Sequence, residues 1–122
     1  MKRSLVLASL LCGLVACAPA ATVAPPDRDG AALRLASIEG GVTAYFNAGL
    51  SDVFPLKFTI TGSDLRVNAP QYCNVSNAAI LCTVPRLPAG GNFVLPMRGS
   101  NISVVALYKR ASGAEFKLTA QQ

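Results

Sequence analysis

From residue 32 onward the chain is written in short runs in which apolar and polar residues alternate, each closed by Gly, Pro, Asn or Ser. In the clearest run, Phe54, Leu56, Phe58 and Ile60 alternate with Lys57, Thr59 and Thr61. A period of two sends successive side chains to opposite faces of an extended backbone, so this segment is expected to be a strand with one buried face. Similar runs cover residues 32–38, 42–46, 80–84, 92–97 and 115–119. Leu65-Arg66-Val67 reads as a short strand set off by a turn at Gly62-Ser63-Asp64. Residues 102–108 are apolar on both faces through Val104, Val105, Ala106 and Leu107, which suits a central strand. Pro96 has no N–H to give to a ladder, so its run should lie at a sheet edge or end there.

Seven or eight short strands, with no stretch of helical periodicity among them, predict an all-β fold. The expected architecture is a single antiparallel immunoglobulin-like β-sandwich over residues 31–122, with a small β-barrel as the alternative. The expected inward set is Leu33, Leu35, Phe46, Phe54, Leu56, Phe58, Ile60, Val67, Ile80, Val84, Phe93, Leu95, Val104, Ala106, Phe116 and Leu118.

The first 30 residues follow other rules. Lys2 and Arg3 precede an uncharged run from Leu5 to Ala16, and an Ala/Pro-rich tract follows from Cys17. A bilayer span needs about 20 apolar residues, so the run is too short to cross a membrane and suits the apolar segment of a secretory signal. Residues 1–16 are therefore expected to be a cleaved signal peptide, and residues 17–30 a tether. Asp27-Arg28-Asp29-Gly30 is expected to be solvated linker charge, because the remaining ligands of a calcium loop are missing.

Leu14-Val15-Ala16-Cys17 resembles the lipobox of bacterial lipoproteins. That resemblance implies a diacylglycerol thioether on Cys17, which becomes the mature N-terminus, and hence a lipid anchor in a bacterial cell envelope. Ala18, not acidic, resembles the sorting position of cargo sent to an outer membrane in organisms that have one. A cut after Ala20 that releases a soluble product is the alternative.

Processing at Cys17 removes two of the 11 basic residues and none of the 6 acidic ones. The mild excess left favours anionic surroundings but lacks the clustered basic face expected of a nucleic-acid binder. Cys12 goes with the signal and Cys17 takes the lipid, leaving Cys73 and Cys82 as a pair. Export to an oxidising compartment makes that pair an expected disulfide. A zinc site would need C-x2-C spacing or histidines, and the chain has no His. No metal and no cofactor is expected. Histidine is also the usual general base near neutral pH. The sparse acids sit beside Gly or turn segments, and no nucleophile elbow or helical S-x-x-K is present, so no catalytic residue is expected.

Tyr72-Cys73-Asn74-Val75-Ser76, Ala79 to Cys82, Pro85-Arg86-Leu87-Pro88-Ala89-Gly90-Gly91 and Asn92 to Leu95 together resemble the closing half of uncharacterised Ig-like repeat domains of bacterial surface proteins. That resemblance implies an extracellular structural or adhesive module. The functional expectation is a non-catalytic, envelope-anchored accessory subunit of a cell-surface protein assembly, its partners being the membrane and another envelope or surface-layer protein. The alternatives are a binding module for anionic glycan and an inhibitor of an envelope enzyme. The candidate binding patch is Arg66, Arg86, Arg98, Tyr108, Lys109 and Arg110, all in expected loops or at strand ends.

Overall fold

A computed structural model describes residues 26–76 and 78–122. The expected signal peptide, the lipobox with Cys17 and most of the expected tether lie outside the described residues. The described chain is all-β, with strands β1 Ala32–Ile38, β2 Gly41–Asn47, β3 Leu56–Val67, β4 Cys73–Ser76, β5 Ala79–Val84, β6 Asn92–Lys109 and β7 Glu115–Gln121. All pairings are antiparallel and form one sheet in the order β1-β2-β6-β3-β5-β4. β7 joins the far half of β6.

This single sheet is bent into two layers. Phe58 of β3 pairs in register with Ala106 of β6, yet its ring centroid lies 5.5 Å from that of Phe93, near the start of the same strand. Extended chain from Phe93 to Ala106 would span about 40 Å, so β6 must double back. It does so at Gly99-Ser100-Asn101, where φ is +135° at Gly99 and +54° at Asn101. A Cβ at Gly99 would stand 2.7 Å from the Ser63 carbonyl oxygen, so only glycine fits there. The bend also shifts the phase. Phe93, Leu95 and Met97 are buried before it, and Ile102, Val104, Ala106 and Tyr108 after it.

β3 turns the same corner through register irregularities between Thr61 and Arg66, with Asp64 at φ +54°. Strands that pass from one layer to the other through such bulges are a recognised way to build a sandwich corner. The expected turn at Gly62-Ser63-Asp64 is therefore a bulge inside β3, and the runs 92–97 and 102–108 are halves of one strand. Small and polar residues serve a turn and a bulged corner equally well, so local sequence does not separate them. Pro96 lies beyond Val67–Met97, the last pair between β3 and β6, where one edge of β6 is unpaired.

The core lies between the layers. Phe46 of β2 meets Phe58 at 6.1 Å and Tyr108 at 5.4 Å, edge to face in both cases. Most of the expected inward set is buried, but Leu33, Leu35, Val67, Phe116 and Leu118 are only half-buried. Four of these sit on β1 and β7, each with one unpaired edge. Phe54 is a correction: it is 39% exposed, because the chain leaves the ladder at Pro55 and Val53, bridged to Leu87, fills the core instead.

Cys73 and Cys82 are directly opposed on β4 and β5 and are joined by the expected disulfide. Reducing it should lower the unfolding free energy by about 2.5 to 3 kcal/mol in the chain-entropy picture, given a closed loop of about ten residues. Urea denaturation with and without reductant measures this, and an unchanged midpoint would contradict it.

Candidate functional site

The most developed polar constellation joins the entry of the chain to the end of β6. Asp27 opens a turn in which its own carbonyl accepts from Gly30 N–H at 3.2 Å. Its carboxylate accepts from Asp29 N–H at 3.1 Å and Ala31 N–H at 3.4 Å. An aspartate that bonds backbone amides just ahead of it is the usual reason for Asp in such turns. From the domain side, Arg110 donates through Nη2 to Oδ2 at 2.5 Å and through Nε to Oδ1 at 3.3 Å, while the Tyr108 hydroxyl donates to Oδ2 at 2.6 Å.

Further bonds fasten the same strap. Arg110 Nη1 donates to the Ser51 carbonyl at 2.7 Å, the Ser51 hydroxyl donates to Asp29 Oδ2 at 2.6 Å, and Leu50 N–H donates to the Asp29 carbonyl at 2.7 Å. Gly49, at φ +80°, lets this backbone come close, since a Cβ there would stand 2.0 Å from the Asp29 carbonyl oxygen. Tyr108 is 2% exposed and Arg110 5%.

Partial burial pushes the Asp27 carboxyl up, but the bonds from Arg110, Tyr108, Asp29 and Ala31 outweigh it and bring the pKa down to about 2. Burial, and then the bond to Asp27, hold the Tyr108 hydroxyl well above its ordinary range. The group is a carboxylate saturated with donors, and its chemistry is that of a clamp.

The six residues of the expected binding patch fall into two groups: Arg66 and Arg98 oppose each other on β3 and β6, while Tyr108, Lys109 and Arg110 end β6 beside the 51–54 segment, to which Arg86 is also bound. Tyr108 and Arg110 are corrections, since both are buried in the clamp. Arg110 continues the inward phase of Ile102, Val104, Ala106 and Tyr108 one step past the end of β6, a signal that was present in the sequence. Asp27 is also a correction: it is the hub of a buried ion pair with Arg110, not solvated linker charge.

Arg66 and Arg98 are directly opposed across β3 and β6, and Arg98 Nη1 donates to the Glu39 carbonyl at 3.3 Å. Arg86 pairs with Asp52 at the surface and lies over the Phe54 ring, 5.7 Å from its centroid. The Ala89 N–H, and then Arg86, hold the Asp52 carboxyl below its ordinary value. Lys109 stands on the outer face, 4.0 Å from Glu115. Among the described residues, no group of three or more His, Cys, Asp or Glu is placed to hold a metal.

No protein-family model matches the chain, and no curated protein matches it.

Proposed function

We propose that the chain is an envelope-anchored, non-catalytic lipoprotein, held by lipid on Cys17 and serving as an accessory subunit of a cell-surface protein assembly. The observation that carries this reading is the clamp. Where the chain enters the domain it is bound to the interior through Asp27, Arg110 and Tyr108. A domain that hangs from its N-terminus needs a secure attachment point, and this one turns a pull on the tether into a load on the sandwich as a whole. The paired charges support a structural role, since Asp27 and Asp52 are each taken up by an arginine that holds loops together.

Mass spectrometry of the native protein is expected to find diacylglycerol on a chain beginning at Cys17, and Cys17→Ala should release the protein from the membrane fraction. An unmodified N-terminus at Ala21 would refute the anchor. Tagged protein purified from gently solubilised envelope should carry a stoichiometric protein partner that survives about 0.5 M salt, where exposed charge contacts are screened. A second reading, a module for anionic glycan, is favoured by Arg66 and Arg98, opposed across two strands with no carboxylate within ion-pair distance among the described residues. Salt-sensitive retention on acidic polysaccharide, with no protein partner, would select it.

A further inference from the structure

Apart from Lys2, every lysine in the chain lies on one patch of one sheet face. Leu107 of β6 is flanked in register by Lys57 of β3 on one side and Lys117 of β7 on the other, and Lys109 follows two residues along β6 on the same face. All four side chains are exposed, Leu107 by 45%. Neighbouring strands lie about 4.8 Å apart, so the three ammonium groups ring Leu107 within roughly 10 Å, close to one screening length at physiological salt. Glu115, 4.0 Å from Lys109, is the one carboxylate among the outward positions of β3, β6 and β7 in this layer. Four of the arginines are used differently: Arg110 and Arg86 are in ion pairs, Arg98 bonds the Glu39 carbonyl and Arg34 lies over Tyr45.

The entry of the chain lies beside this face. Pro26, the first described residue, lines an open groove together with Leu107, Phe116, Lys117 and Leu118. Pro26 is only nine steps along the chain from Cys17, a reach of at most about 30 Å when fully extended. We infer that the face built by Lys57, Leu107, Lys109 and Lys117 docks on the anionic headgroups of the bilayer that holds the anchor, so that the domain rests on the membrane in one orientation. The inference rests on the lipid-anchored reading. The clustered positive charge, an apolar residue at its centre and the adjacent tether all fit a headgroup plane. Tethering makes the contact intramolecular, so a few charges suffice where free protein would bind weakly.

The chain has no tryptophan, so Leu107→Trp introduces a single reporter at the centre of the face, and Val94→Trp, at a 48% exposed position on the outer face of the other layer, serves as its control. The mature chain, with its disulfide intact, is coupled through the Cys17 thiol to a maleimide lipid in vesicles that contain a lipid with a nitroxide on its headgroup. In phosphatidylcholine vesicles containing phosphatidylglycerol, strong quenching is expected for Leu107→Trp and little for Val94→Trp. About 0.5 M salt should reverse it. Lys57→Gln with Lys117→Gln should lower the docking equilibrium about 25-fold, fivefold for each lysine.

Equal quenching of the two reporters, or unchanged quenching in pure phosphatidylcholine, would overturn the inference. So would absence of lipid quenching together with protection of the reporter by an acidic polysaccharide, which would assign the face to a glycan. Because the lipid is attached chemically, failure of natural lipidation appears only in the mass of the native N-terminus and remains distinct from failure to dock.

Discussion

Arg110→Ala is expected to lower the unfolding free energy by about 3 to 5 kcal/mol, the usual effect of removing one partner from a buried ion pair. The guanidinium bonds both carboxylate oxygens of Asp27 and the carbonyl of Ser51, so its loss strands an anion and a backbone acceptor together. Urea denaturation at neutral pH measures the loss, and a change below about 1 kcal/mol would mean that the strap contributes little. The clamp should also leave a mark in the pH dependence. The folded pKa of Asp27, about 2, lies below its ordinary 3.8, so the stabilisation is present above about pH 4 and is lost as pH falls through 2. It amounts to about 2 kcal/mol. Tyr108 acts at the other extreme, because its folded value lies above the ordinary 10.0 and its contribution is full below pH 10 and falls as pH rises beyond that.

Phe58→Ala is expected to cost about 3 to 5 kcal/mol, through lost burial and the cavity left behind. Phe58 is 1% exposed and its ring lies between Phe46 and Phe93, so it joins the two layers as well as filling the space between them. Edge-on and tilted aromatic contacts add to the area term. Phe54→Ala, two residues earlier in the same alternating run, should cost far less because Phe54 is already largely in water. Equal losses at the two positions would contradict the placement of the core.

The contrast between these phenylalanines shows what the sequence can and cannot reveal. Period-two alternation identified every strand except the four-residue β4, and most of the buried residues, because a strand with one wet face must carry that pattern. Whether two runs are separate strands or one bent strand depends on a partner far along the chain. The phase shift between Met97 and Ile102 was visible, but its meaning as a corner needed β3 alongside. The clamp was missed for a related reason. A charged residue next to Gly reads as solvated, and burial of Arg110 follows only when Asp27, 83 residues away, is present to neutralise it. Of the outer lysines only Lys109 was picked out, without its neighbours, because Lys57, Lys109 and Lys117 come from three separate runs, and only the cross-strand register brings them together.

The bent strand has a consequence for how the domain comes apart. β6 supplies ladder partners to β2 in one layer, to β7 in the other and to β3 in both. Each layer loses its central ladders once β6 leaves, and β6 cannot leave one layer without loosening the corner at which it enters the other. The domain therefore has no half that could open reversibly while the rest endures. Its unfolding is expected to be a single cooperative event, with β1 held to the strands of β6 through β2, β5 through β3, and the short outer β4 through β5 and a disulfide.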